Sequence, residues 1–209
     1  MRATQKRSEP SSLTQHKRLP HADYDNYHHK DELRFALVAE QKGICCYCMQ
    51  RIRPNAAHMK IEHWHCQALY PNDQLDYANL LGACRGNEGQ PKYQQHCDTH
   101  KGNDSLLYNP ANPAHRIEDR VRYLGDGRIV SSDSQFDQEL NTVLNLNIRT
   151  LINNRKATLD AFKQRLQRGR LSQSTLQRMM RNWSDAEGEG LRPYCGVVIY
   201  WLRKRLARG

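Results

Sequence analysis

Four of the seven cysteines have the types and order of a tetrahedral metal site. Cys45 and Cys48 form a C-x-x-C pair in Cys45-Cys46-Tyr47-Cys48, and two thiolates at that spacing chelate one ion from a tight turn. Cys84 and Cys97 are the second pair, separated by twelve polar residues. Ordinary knuckles have two to four residues there, but closure entropy rises slowly with loop length, so a looped-out insertion is tolerated. Zn²⁺ is the expected occupant, in a structural role. Cys46 is an alternative to Cys45 with poorer spacing to Cys48. Cys66 is left over, and Cys195, in the apolar string 194–201, reads as a packing residue. An odd cysteine count in a chain expected to be cytoplasmic favours metal over disulfides.

Between and beside the cysteines lie the residues for hydrolysis. Ile61-Glu62-His63-Trp64-His65 comes first, Asn79 follows in Tyr77-Ala78-Asn79-Leu80-Leu81, and Cys97-Asp98-Thr99-His100-Lys101 closes the series. Cleaving a phosphodiester needs a base to deprotonate water and a divalent cation to stabilise developing charge. Neutral His63 suits the base, and the carboxylates Glu62 and Asp98 suit a hard ion such as Mg²⁺ or Mn²⁺. His65 and His100 compete for these roles.

These residues need elements to carry them. The pattern predicts a helix over 31–41 stopped by Gly43, a β-hairpin over 44–63 around the cysteine knuckle, and a short helix over 76–83. A turn or short helix should follow Cys97. Residues 120–131 read as a second hairpin turning at Gly125-Asp126-Gly127. Beyond Phe136 the spacing of Leu144, Ile148, Leu151, Leu159 and Phe162 is helical, with Arg155, Lys156 and Arg165 interspersed, and further helices are expected over 171–183 and 193–207. Residues 1–28, basic and broken by Pro10 and Pro20, read as a flexible segment.

The order of these motifs resembles the HNH, or ββα-metal, endonucleases. In that superfamily a carboxylate-His or His-His pair follows a first C-x-x-C knuckle. An Asn comes next, then a second cysteine pair whose last Cys precedes a metal ligand and a Lys. The resemblance implies an α+β fold: a ββα-metal core with structural zinc, a second hairpin and a helical C-terminal extension. It implies catalytic roles for Glu62, His63, Asn79 and Asp98. Glu62 and Asp98 hold the catalytic metal, His63 is the general base, and Asn79 bonds to backbone to fix the loop that orients it. Within the superfamily the chain is most similar to the PtuB-type HNH subunits of Septu anti-phage systems. The stretches that carry this are Tyr77-Ala78-Asn79-Leu80-Leu81 with Cys84, Lys101-Gly102-Asn103, and Thr142-Val143-Leu144-Asn145-Leu146-Asn147. Those subunits work with an ABC-type ATPase of the PtuA type and also accompany certain retrons, which makes both expected partners. Three positions depart from the pattern: Asp98 replaces the usual His or Asn, Cys66 replaces a Pro after the base, and the second knuckle carries its insertion.

The net charge of +10 lies entirely in residues 141–209, where 14 Lys and Arg face 4 Asp and Glu. That balance favours phosphate contact, or a docking face for a partner ATPase. The division that follows is a flexible basic segment over 1–28, a nuclease core over 29–110, and a hairpin plus helices over 111–209. No apolar run approaches the length of a membrane span, and no secretory leader is read, so a cytoplasmic protein without membrane contact is expected. No phosphate-binding Gly-x-x-x-x-Gly-Lys loop is present, so nucleotide control would reside in the partner. DNA and tRNA both suit such a site as substrate, because it grips backbone rather than bases. The competing class is a non-catalytic, zinc-stabilised module that binds nucleic acid or a partner. It requires the cysteines and the basic helices but not Glu62, His63 and Asp98 together.

Overall fold

The computed structural model describes residues 1–166, 171–185 and 190–208. It is an α+β protein with two small antiparallel sheets and a helical C-terminal half. The N-terminal region holds α1 (Ser11–His16) and α2 (Lys30–Glu40). Asp31 and Glu32 sit in the first turn of α2, where the helix dipole favours negative charge. The helix closes with Gly43 N–H bonded to Val38 O at 2.9 Å, and both Lys42 and Gly43 take positive φ.

The first sheet pairs β1 (Lys60–His63) with β2 (Leu80–Ala83), with Glu62 opposite Leu81 and His63 opposite Leu80. This corrects two expectations. Residues 44–63 do not form one hairpin: the knuckle is closed by a lone bridge between Ile44 and Arg51, and the strand after it pairs across a sixteen-residue loop. Residues 76–83 are not a helix. Only Tyr77–Asn79 makes a 3₁₀ turn, its Ala78 N–H capped by Asp76, and Leu80–Ala83 is a strand buried along its whole length. A short, wholly apolar run carries no period to separate strand from helix. Helix α3 (Cys97–Lys101) follows the insertion.

Next come α4 (Ile117–Arg120) and the expected hairpin, β3 (Val121–Tyr123) with β4 (Ile129–Ser131). Gly127 turns it at φ +94, and a Cβ there would lie 2.3 Å from Ile152 O. Then follow α5 (Ser134–Thr142), capped by Asp133, α6 (Arg149–Leu166), α7 (Gln173–Ser184) and α8 (Cys195–Leu206). Between α5 and α6 two asparagines act as clamps. Asn145 donates to Gln95 O at 2.7 Å, and Asn147 exchanges both amide bonds with Ile129.

Residues 1–28 are packed rather than loose. Leu13 and Tyr27 are buried with Leu33, Leu37, Tyr77 and Leu80, and Met1 is buried in the main core. Each buried apolar side chain contributes roughly 1.5–3 kcal/mol, so a few well-spaced anchors suffice to dock a polar segment. The sequence division at 110 is not a break in packing. Cys195, Val197, Val198, Ile199 and Leu202 of α8 share one core cluster with Cys45, Tyr47 and Cys48. Tyr194 N–H bonds to Met49 O, directly after the knuckle. Arg155 is likewise no surface charge: it is buried, and its guanidinium donates to Gly127 O, Leu146 O and Asn147 Oδ1. Among the described residues, no helix is long and apolar enough to cross a membrane.

Candidate functional site

The fold brings Cys45, Cys48, Cys84 and Cys97 together. All four are buried, and their sulfurs lie within 4.8 Å of one another. Cys48 and Cys84 sulfurs are 3.6 Å apart, and those of Cys45 and Cys97 are 3.9 Å apart. A tetrahedron with Zn–S bonds near 2.3 Å has edges of about 3.8 Å, so the cluster fits a Zn²⁺-sized ion. The knuckle supplies two ligands from a turn in which Met49 takes φ 66 and Gln50 N–H donates to Cys48 Sγ at 3.4 Å. Cys84 leaves the end of β2, and Cys97 opens α3. The structure thus selects Cys45 over Cys46 for this cluster. The insertion loops out as expected and returns at Gly86, whose carbonyl accepts His96 N–H at 3.0 Å.

Next to the cluster stands a histidine that spacing arguments passed over. Buried His96 places Nδ1 3.2 Å from Cys97 Sγ and 3.9 Å from Cys84 Sγ. An N–H directed at a thiolate sulfur stabilises its charge. The adjacency of His96 to Cys97 was the available signal.

The second group is built on β1 and α3. Glu62 is buried, and its Oε1 accepts from Tyr47 hydroxyl at 2.7 Å and from Lys101 ammonium at 3.1 Å. Both donors fall on the same oxygen, so Oε2 is taken by neither. Asp98, one residue past the last cysteine, hydrogen-bonds the Glu62 carboxyl and forms an ion pair with Lys60 at 3.0 Å. Burial and the Asp98 charge hold the Glu62 pKa well above the usual carboxylate range. Asp98 is held below its ordinary value: burial opposes ionisation there, and the hydrogen bond from Glu62 and the charge of Lys60 outweigh it.

His63, the next residue along β1, is also buried. Its Nε2 lies 3.0 Å from Gln74 O and donates to it, which leaves Nδ1 as the basic nitrogen. Burial lowers its pKa from the ordinary 6.5, against the raising effects of the Gln74 bond and the Asp98 charge. Tyr24 packs edge-on against the ring at 4.4 Å, and Tyr24 N–H bonds to the Gln74 side chain. The N-terminal segment therefore forms one wall of this site. Asn79 bonds to backbone: Oδ1 accepts His65 N–H at 2.7 Å, and Nδ2 donates to His65 O and Asp73 O, each at 3.0 Å. Lys101 Nζ, buried, also donates to His63 O. His65 and His100 are engaged elsewhere, His65 Nδ1 with Asp73 Oδ2 at 2.7 Å and His100 Nδ1 with Val143 O at 2.9 Å. Tyr47, Lys60 and Lys101 were not read as site residues, because their partners lie far off in sequence. Among the described residues, the cysteines are the one group of three or more converging metal-type donors.

Over 81 residues the chain is 27% identical to the Septu protein PtuB of Bacillus thuringiensis. The match takes in 39% of this chain and 29% of that protein, so the chain spans under a third of the relative's length. It supports a distant relation to a Septu defence protein. No family model matches the chain.

Proposed function

We propose that this chain is a metal-dependent HNH endonuclease that hydrolyses phosphodiester bonds of nucleic acid, DNA or tRNA, as the effector of an anti-phage complex with an ABC-type ATPase. The observation that supports it is that the Glu62 carboxyl of β1 meets Asp98 of α3, with His63 the next residue along β1, its Nε2 engaged by Gln74 O and its Nδ1 left to take a proton. The PtuB similarity supports the defence setting. In this reading the tetrathiolate site is structural and holds the knuckle, the end of β2 and the start of α3 in register. Glu62 and Asp98 would hold a hard divalent ion, Mg²⁺ or Mn²⁺, which would supply charge stabilisation at the phosphate. His63 accepts the proton of the attacking water at Nδ1. Asn79 and Lys101 keep its backbone from shifting. Residues 29–110 are the nuclease core, and the basic C-terminal helices contact nucleic acid or partner, retron components included.

The testing assay incubates the zinc-loaded chain with DNA and with total RNA, with and without the ATPase, while varying Mg²⁺ and Mn²⁺. Cleavage that follows the added Mg²⁺ or Mn²⁺ while bound zinc stays constant supports the reading. No cleavage in any combination, with nucleic acid still bound, moves the chain to the binding-module class. The pH profile adds a second check. Only neutral His63 accepts a proton, and burial lowers its pKa, so the acid limb of kcat/KM should fall below pH 6.5, with a plateau above. A limb centred above 6.5 would exclude His63 as the base.

Tyr47 lies inside the zinc knuckle and donates to Glu62, so it links the two sites. Tyr47→Phe should leave zinc content unchanged and raise the Mg²⁺ concentration needed for half-maximal cleavage by about tenfold or more, the usual scale for groups that orient metal ligands. An unchanged Mg²⁺ requirement would mean that Glu62 does not hold the catalytic ion.

A further inference from the structure

Immediately after His63 the chain builds a row of three rings, the inner pair tilted and the outer pair stacked. Trp64 and His65 have centroids 4.3 Å apart at 31°, and His65 and Tyr70 are 4.3 Å apart at 17°. The middle ring is fixed: Asp73 holds His65 Nδ1, and the Asn79 clamp holds its backbone N–H and C=O. The series ends at Tyr70, which is 38% exposed, beside Leu69, which is 64% exposed. This outer end lies on the loop that joins β1 to β2, two strands of the candidate site.

We infer that the Tyr70–His65–Trp64 stack is a platform on which an unpaired base next to the cleaved phosphate stacks, so that the preferred substrate is single-stranded or locally unpaired nucleic acid. The inference rests on the nuclease reading above and names its substrate class. Every base has a π-face, so stacking on an aromatic ring tolerates any sequence. A base within a duplex has both faces covered by its neighbours and cannot reach Tyr70 without leaving the stack. Positive charge elsewhere on the +10 chain supplies backbone attraction, and the rings supply strand-state preference. A preformed, clamped stack loses little freedom when a fourth ring is added to it.

The experiment measures affinity by fluorescence anisotropy, using the full zinc-loaded chain with no added Mg²⁺. Probes are a labelled single-stranded DNA, the RNA of the same sequence, and the matching duplex. Tyr70→Ala should weaken both single strands on the order of tenfold. It should leave the duplex affinity and the slope of affinity against salt unchanged, because no phosphate contact is lost. Tyr70→Phe, which keeps the ring, should bind as wild type does. Placing 2-aminopurine in the strand should give quenched emission on binding to wild type and Tyr70→Phe but not Tyr70→Ala. Equal single-strand affinity in wild type and Tyr70→Ala would overturn the platform, as would an equal loss on duplex and single strand. If Tyr70→Ala instead loses only capture of the ATPase, the exposed face serves a protein partner and the inference fails. Wild type that cleaves with Mg²⁺ while Tyr70→Ala binds normally sinks the platform alone. Wild type that neither binds nor cleaves sinks the nuclease reading with it.

Discussion

Cys97→Ser should abolish stoichiometric zinc and unfold most of the N-terminal half of the chain. The four sulfurs cross-link three segments, the knuckle, the end of β2 and the first turn of α3, whose other ties are shared core packing and single hydrogen bonds such as Cys46 N–H to Gly82 O at 3.1 Å. Structural zinc sites contribute on the order of 10–16 kcal/mol of apparent binding energy at neutral pH, against a typical net domain stability of about 5–15 kcal/mol. Losing the site therefore exceeds what the remaining packing holds in reserve. The loss should propagate, because Tyr47, Cys45 and Cys48 share their core with Tyr194, Cys195 and Val198. Metal content by mass spectrometry and a thermal melt read the result. His96 lies close enough to Cys97 to serve as a replacement ligand, so Cys97→Ser should be compared with the double variant that adds His96→Gln. Partial zinc in the first and none in the second is the expected gradation. Cys66→Ser is the control. Its thiol only donates to Asn103 O at 3.4 Å, and zinc should be retained. A Cys97→Ser chain that melts like wild type would show that the cluster is merely a set of buried thiols.

The cysteine site was legible in the sequence because chelation limits spacing: two sulfurs three residues apart can meet one ion only through a tight turn. The structure places Glu62 and His63 at the end of β1, Asn79 at the end of a 3₁₀ turn and Asp98 in the first turn of α3, positions that an order of motifs in sequence can suggest. The strand that carries Glu62 and His63 was placed at the edge of the wrong hairpin. Leu80–Ala83 is buried on both faces, and such a run shows no alternation to reveal its partner. The N-terminal segment was misread for a different reason. Its anchors, Met1, Leu13, Tyr24 and Tyr27, are dispersed among polar residues, and average composition hides them. Most of the charges that tune the site were illegible as well. Lys60 and Lys101 reach Asp98 and Glu62 only because β1 and α3 lie together, which is a long-range fact. The C-terminal charge excess was countable, but counting cannot say that Arg155 is spent inside the core on Gly127, Leu146 and Asn147.

His63→Ala is the substitution that separates catalysis from binding. Its expected effect is a loss of roughly 10²–10⁴-fold in cleavage rate, the scale of a positioned general base. The backbone at this position is held independently of the side chain. Lys101 bonds the carbonyl of His63, strand pairing opposes it to Leu80, and Asn79 clamps the next residues but one. Zinc content should therefore stay stoichiometric, and nucleic-acid affinity should change little. The ring does pack against Tyr24, so a modest drop in melting temperature is expected alongside the kinetic loss. His63→Gln keeps more of that volume without a base of suitable pKa, and it should lose activity as fully as alanine does. His65→Ala and His100→Ala are the comparisons. Both rings already have partners away from Glu62 and Asp98, in Asp73 and the Val143 carbonyl. His65→Ala should impair substrate binding more than turnover, because it removes a ring from the stack and leaves Nδ1 of His63 in place. His100→Ala should leave both nearly unchanged. If His63→Ala and His63→Gln retained wild-type turnover in a preparation free of contaminating nuclease, the base would lie elsewhere, and the buried Glu62–Asp98–Lys101 group would be a structural charge network rather than a catalytic one.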